Sequence, residues 1–391
     1  MYIVAGVSIR DLSESAAESG VEVTGVDFFR DMDCRGKVIT PSLEPDSKPW
    51  TLDLLKTAQE IECSECSGLV YGSGIENYGD ALQYWQDKDL LLGNGQDVLL
   101  KVRNPFILRD VLAQIGMEMP EFHSSDWIPT EGSWLLKPLF KGGGYGILKL
   151  PSEEAAIRDI LSQLDKPERY VVQEKLDGVP ASITFLANGS KALLVGSSYQ
   201  LINKQTREES YQYMGNIVPL MAPYQSFWKD MDKLANHLTA AFGLKGLNTL
   251  DFILSDRVKI LELNPRWSGS VEMIEAWLGR RLFLDHIKAC KGKLPNKAEW
   301  ERFIRPQKFY GKKIIFADVS FTVRDDAGDW KRIHQYGIRD IPWPKSTIKK
   351  GEPVCTVLAK GSTKNECMLK LAKKAHQVRE FYEQKKGVFQ V

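Results

Sequence analysis

Cysteine is scarce in this chain: six stand among 391 residues, Cys34, Cys63, Cys66, Cys290, Cys355 and Cys367. That density excludes a disulfide scaffold and suits a reducing compartment, so a cytoplasmic protein is expected. Cys63 and Cys66 form a C-x-x-C, but zinc needs two further soft ligands and no second pair or nearby histidine supplies them. An excess of one charge is also missing. Lysine and arginine number 52 against 51 acidic residues, a net charge of +1. The balance removes any electrostatic case for nucleic acid or an anionic membrane surface as partner. No run approaches the roughly 18 apolar residues of a membrane span. The apolar start Met1–Val7 has no basic lead and no cleavage site, so it reads as a buried strand rather than a secretory signal. Five histidines, at 123, 237, 286, 334 and 376, are scattered and read as surface or helix-face residues. Internal repeats, low-complexity segments and a Gly-x-Ser-x-Gly nucleophile motif are absent.

What is present is ample core material, 43% hydrophobic and 10% aromatic, enough for roughly two to three domains. Residues 1–100 alternate short apolar strands with helical stretches: Tyr2–Val7, Val21–Asp27, Leu69–Tyr71 and Leu90–Leu92 as strands, 11–19 and 51–62 as helices. This rhythm predicts a small α/β domain with a largely parallel sheet. Gly6-Val-Ser-Ile-Arg-Asp11 lacks the further glycines of a dinucleotide fingerprint, and Gly72–Asn77 is a candidate substrate loop. From Lys101 the texture changes to α+β: a helix over Ile107–Ile115, strands at Trp134–Leu139 and Ile147–Leu150, and a helix capped by Ser152. Strands follow at Tyr170–Leu176, Ser182–Leu186, Ala192–Ser197, Thr249–Leu254 and Val258–Leu263, with helices at Met231–Phe242 and Val271–Leu278. Beyond Glu299 lies a mixed tail, with strands near Lys313–Val323 and Val354–Leu358 and a charged helix over 365–385.

Three features carry chemistry. Leu136-Lys137-Pro138 is followed by Lys141-Gly142-Gly143-Gly144-Tyr145-Gly146, a glycine-rich hairpin between two strands. Glycines let backbone amides approach phosphate oxygens, and lysine adds a point charge; no Walker A motif closes the loop. Secondly, the strand Val171–Gln173 ends in Glu174-Lys175-Leu176-Asp177-Gly178, offering backbone groups and carboxylates beside an apolar edge. The third is geometric. If Ser255-Asp256-Arg257 turns between its last two residues, cross-strand numbers sum to 513, so Asp251 sits opposite Glu262. Asn264, two residues on, shares that face. Opposed carboxylates are unfavourable without a cation between them, and an oxygen-only set suits Mg²⁺, with Mn²⁺ as a substitute. A solvated hairpin face is the bland alternative, disfavoured because Leu250, Phe252, Leu261 and Leu263 read as core-facing.

In this order the motifs resemble the ATP-grasp superfamily, whose members include carboxylate–amine ligases. Ser198-Tyr199-Gln200 with Tyr213-Met214-Gly215 and Pro219 resembles the branch containing tyramine–glutamate ligases of methanofuran biosynthesis. The resemblance implies a pre-ATP-grasp α/β domain at 1–100. It places an ATP-grasp fold, two α+β subdomains clasping ATP, at 101–298 with a flap subdomain near 120–175. A mixed C-terminal segment at 299–391 would pack on it. Carried over residue by residue, Lys137, Lys141, Gly142, Gly143, Gly144 and Gly146 match phosphate contacts, and Glu174, Lys175, Leu176 and Asp177 match adenine and ribose contacts. Asp251, Glu262 and Asn264 match magnesium ligands, Arg266 the arginine of an acyl-phosphate step, and Ser268-Gly269-Ser270 a substrate loop. Where relatives carry an earlier phosphate-binding lysine this chain has Pro105, leaving Lys101 or Arg103 as substitutes. Arg207, Tyr211 and Tyr213 lie in a polar segment assigned to the acceptor side.

The implied activity is ATP-dependent ligation of a small carboxylate to a small amine. A carboxylating or phosphotransferring enzyme on the same fold, or an ATP-binding protein without turnover, is the alternative. Dimers are frequent in the superfamily, so a homodimer is expected on that ground alone.

Overall fold

The computed structural model describes residues 1–40, 51–61, 65–203, 211–302, 308–323 and 334–383, so Cys63 and Arg207 lie outside the described residues. The chain opens with β1 (Tyr2–Gly6), β2 (Val23–Asp27), β3 (Lys37–Ile39) and β4 (Leu69–Tyr71), paired in parallel in the order β3-β2-β1-β4. Ile3, Val4 and Ala5 are all fully buried, as consecutive positions are when both faces of a parallel sheet are covered. The expected strand Leu90–Leu92 is only a bridge of Leu91 to Leu69, because Gly93-Asn94-Gly95 turns the chain before a ladder forms.

A second sheet holds β5 (Phe122–Ser124), β6 (Trp134–Pro138), β7 (Leu148–Lys149) and β8 (Tyr170–Glu174), antiparallel in the order β5-β8-β6-β7. The helix Glu154–Ser162 drives Ile157 into a small core with Leu136, Leu150 and Val172. Ser152 does not cap it: the N-cap position falls at Glu153, one residue too late for that hydroxyl.

The remaining strands are β9 (Val179–Asn188), β10 (Ala192–Ile202), β11 (Tyr213–Val218), β12 (Lys245–Leu254), β13 (Val258–Asn264), β14 (Phe309–Phe316), β15 (Phe321–Thr322), β16 (Ile338–Arg339), β17 (Thr347–Ile348) and β18 (Pro353–Gly361). All but the β15–β17 pair join one eight-stranded antiparallel sheet, ordered β13-β12-β9-β10-β11-β14-β18-β16. The packing expected of residues 299–391 thus takes the form of sheet extension, with β14 hydrogen-bonded to β11. Strand β11 was not anticipated, because Gly215 interrupts its apolar alternation. A Cβ there would come within 2.1 Å of the Lys312 carbonyl oxygen, so the close approach of β14 requires glycine.

The helix Phe227–Phe242 buries Phe227, Met231, Leu234, Ala235, Leu238 and Phe242 and ends at Gly243, φ +70°. It packs on one face of the large sheet with Ile183, Phe185 and Leu250. The helices Val271–Leu278 and Phe283–Cys290 share a core with residues of the first sheet, which seats that sheet against the large one. His286 belongs to this interior rather than the surface: it is 2% exposed, Nδ1 accepts the Leu247 amide N–H, and Nε2 lies 3.0 Å from the Leu92 carbonyl oxygen.

Candidate active site

Where the three sheets meet lies a cavity of about 1280 Å³. At its centre β12 and β13 place Asp251 directly opposite Glu262, the pairing expected from the sequence, by a different route. Nearer the turn, Phe252, Ile253 and Leu254 pair with Ile260, Lys259 and Val258, a register one residue shorter. A β-bulge at Leu261 absorbs the difference. It also corrects the reading of Leu261 as core: that side chain is half-buried and lines the cavity, whereas Leu250, Phe252 and Leu263 are buried.

The opposed carboxylates are surrounded by donors. Lys137 Nζ, brought in on β6, lies 2.9 Å from Glu262 Oε2. Asn264 Nδ2 donates to Asp251 Oδ2 at 2.9 Å and to Glu262 Oε1 at 3.5 Å, while Gln200 Nε2 donates to Asp251 Oδ1 at 2.7 Å. Burial, with Glu262 opposite, pushes the Asp251 carboxyl well above the usual range. Burial also acts to raise Glu262, but the charge and hydrogen bond of Lys137 overcome it and hold that carboxyl low. One carboxylate of the pair is therefore stable as an anion and the other needs more positive charge than the chain supplies. This oxygen set fits a hard divalent cation, with Asn264 turning its amide to present Oδ1.

The flap lies over this centre. Gly143, Gly144 and Gly146 have φ of +64°, +76° and +76°, and Tyr213 N–H donates to the Gly143 carbonyl oxygen at 2.9 Å. A Cβ on Gly144 would sit 1.9 Å from the Tyr211 carbonyl oxygen, so only glycine lets the loop meet the main chain there. Lys141 and Gly142 line the same cavity. Arg103 Nη2 donates to the carbonyl oxygens of Leu139 and Lys141 at 2.7 and 3.3 Å, at the base of the flap; Lys101 is exposed and lies off the cavity. Glu174, Lys175, Leu176 and Asp177 also line the cavity. The N–H groups of Glu174 and Lys175 are spent on Glu121 and Ser133 carbonyl oxygens, leaving side chains and carbonyls to face the cavity.

Residues 102–270 match the family described as ATP-grasp domain. The chain carries an ATP-grasp domain. An uncharacterised protein of Methanocaldococcus jannaschii is 24% identical over 382 residues, 93% of this chain and 89% of that one. Among solved structures, an L-amino acid ligase from Bacillus licheniformis superposes with TM-score 0.69 at 16% identity, covering 95% of this chain and 96% of its own. Biotin carboxylase from Campylobacter jejuni gives 0.69 at 12% identity (94% and 89%). N5-carboxyaminoimidazole synthetase from Staphylococcus aureus, complexed with ADP, gives 0.68 at 16% identity (96% of each). These likenesses establish the fold, shared by ligases and carboxylating enzymes alike. No helix among the described residues is long and apolar enough to cross a membrane.

Beside this carboxylate pair, Arg266 is 9% exposed and each of its guanidinium nitrogens has a partner. Its Nε meets Glu76 Oε1 at 2.8 Å, Nη2 meets Asn264 Oδ1 at 3.1 Å and Nη1 the Trp267 carbonyl oxygen at 3.3 Å. Ser268 and Ser270 join Thr184 and Thr249 in a buried group of hydroxyls linked at 2.7–3.3 Å, with Gly269 beside them on the cavity wall. Tyr211 and Tyr213 also reach the wall. Residues the sequence reading missed are Thr184, Thr249 and Lys312, whereas Glu76 belongs to the Gly72–Asn77 loop expected near the substrate, which lines the cavity. The contact of Glu76 with Arg266 spans 190 positions, so no local pattern records it.

Proposed function

We propose that the protein is an ATP-dependent ligase that activates a substrate carboxylate as an acyl phosphate and joins it to an amine. The observation that carries this reading is the opposed Asp251–Glu262 pair with Lys137 between it and the glycine flap, in one cavity with a buried arginine. In this reading Gly142–Gly146 and Lys141 cover the triphosphate, and Lys137 lies beside its α and β oxygens. Glu174–Asp177 hold the nucleoside. Asp251, Glu262 and Asn264 would hold Mg²⁺, which supplies positive charge against the phosphate oxygens. Arg266, its guanidinium oriented by Glu76, meets the oxygens of the acyl phosphate; Ser268–Ser270 adjoin the substrate carboxylate.

The chemistry then asks little covalent work of the protein. A carboxylate oxygen attacks the γ-phosphorus, ADP departs, and an amine nitrogen displaces phosphate from the acyl carbon. Positioning and preorganised charge account for the rate. The closed flap excludes water, which would otherwise hydrolyse the intermediate. The test is ADP release from Mg·ATP across paired carboxylates and amines. Release that requires both partners is expected; release that requires bicarbonate instead favours the carboxylating reading, which the structural likeness to biotin carboxylase keeps in view.

A further inference from the structure

The first sheet adds its own wall to the cavity. Strands β1 and β4 are parallel neighbours, so the loops that follow them leave the same edge, and Val7 N–H donates to the Ser73 carbonyl oxygen across that edge. Ligands in open α/β sheets bind at this carboxyl edge. The two loops bring Asp11, Glu76 and Asn77 onto the cavity surface.

All three present acceptors. Glu76 is 3% exposed; Oε1 takes the Arg266 guanidinium, while Oε2 is buried with no hydrogen-bond partner among the described residues. Asn77 Nδ2 donates to the Gly74 carbonyl oxygen at 3.3 Å, which fixes the amide orientation and leaves Oδ1 buried without a partner. Among the described residues Asp11 accepts the N–H of its neighbour Leu12, at 2.8 Å, and no other. Buried acceptors left unpaired are costly, and two on one loop that lines the cavity call for a ligand rich in N–H donors. The cations nearby are already committed: Arg266 as above, Arg10 to Glu14, Glu272 and Asp340, and Lys312 to Glu272.

We infer that Asp11, Glu76 and Asn77 form the binding site for the amine substrate, taken up as its ammonium form. The inference rests on the ligase reading and narrows it. A primary ammonium offers three N–H donors and one positive charge, matching two carboxylates and an amide oxygen. Before attack the ammonium passes one proton to a carboxylate of the site. The freed lone pair forms the C–N bond, the acyl C–O bond to phosphate breaks, and the second proton leaves with the products. Burial raises the Asp11 carboxyl, which suits it to hold that proton.

Hydroxylamine separates the two halves of the argument, because it is an uncharged nucleophile near neutral pH and traps acyl phosphates as hydroxamates. Wild-type protein with Mg·ATP and a carboxylate panel, first with hydroxylamine and then with ethylamine, glycinamide, putrescine and lysine, identifies both substrates. Asp11→Asn and Asn77→Ala are then compared with it. The site predicts that KM for the amine rises on the order of tenfold or more in Asp11→Asn and Asn77→Ala. KM for ATP and for the carboxylate, measured with hydroxylamine, should stay within about twofold. An unchanged amine KM, or equal loss of hydroxamate and amide, overturns the site. Absence of hydroxamate from wild type with every carboxylate overturns the ligase reading itself.

Discussion

Glu262 is the residue on which most of the charge arrangement turns. It accepts from Lys137 at 2.9 Å, faces Asp251 across the ladder and shares Asn264 with it. Glu262→Gln keeps the shape, removes the anion and leaves Lys137 without its partner. The expected result is a loss of turnover on the order of 100-fold or more, with circular dichroism and urea midpoint close to wild type. Substantial activity in that variant contradicts the magnesium assignment. This pair was legible because β-strand arithmetic needs only a turn and a count. The count succeeded through a compensation: the turn lies half a residue from where the sequence suggests, and the Leu261 bulge restores the pairing at Asp251. Nothing in the local pattern announces a bulge, so the orientation of Leu261 was not recoverable. His286 gives a second test at this scale. Burial pushes its imidazole down to about 4, so the folded state holds it neutral while the unfolded chain takes a proton near 6.5. Its contribution is complete above pH 6.5 and is lost as pH falls toward 4, by about 3 kcal/mol in all. His286→Gln should flatten that part of the stability profile; urea midpoints at pH 7.5 and 4.5 that drop equally in both proteins would remove His286 as the cause.

At the scale of elements, the flap hairpin and its contact with β11 set access to the cavity. Tyr213 N–H on the Gly143 carbonyl oxygen, and Gln212 Nε2 on the Tyr145 hydroxyl at 2.7 Å, hold the flap against the strand. Gly144→Ala puts a methyl against the Tyr211 carbonyl oxygen at a backbone angle that L-residues disfavour. The hairpin must then lift. KM for ATP should rise on the order of tenfold with little change in urea midpoint, since the flap carries little of the core. An unaltered KM would mean that closure over β11 does not govern nucleotide binding. The flap was readable from its glycines. Its docking strand was not, because Gly215 and Asn216 break the alternation that marks a strand, and both are there to admit or brace a neighbour.

At the scale of the whole molecule, Arg10 ties three segments together from full burial. Its guanidinium meets Glu272 at 2.5 and 2.9 Å, Glu14 at 3.0 Å and Asp340 at 2.9 Å, joining the first sheet, the central unit and the C-terminal segment. Arg10→Met strands buried carboxylates and should cost about 3–5 kcal/mol in urea unfolding. A loss below 1 kcal/mol would mean that Lys312 alone satisfies Glu272. Many helices and strands were readable because their periodicities differ along the chain. The joining of the C-terminal strands to the central sheet was not, since strand partners so far apart leave no trace in local sequence. The same long-range closure creates the cavity in which an acyl phosphate would form and be consumed. Oxygen transfer tests that step directly: with ¹⁸O in the substrate carboxylate, Mg·ATP and the amine, each phosphate released should carry one ¹⁸O. Unlabelled phosphate accompanying product formation would contradict it.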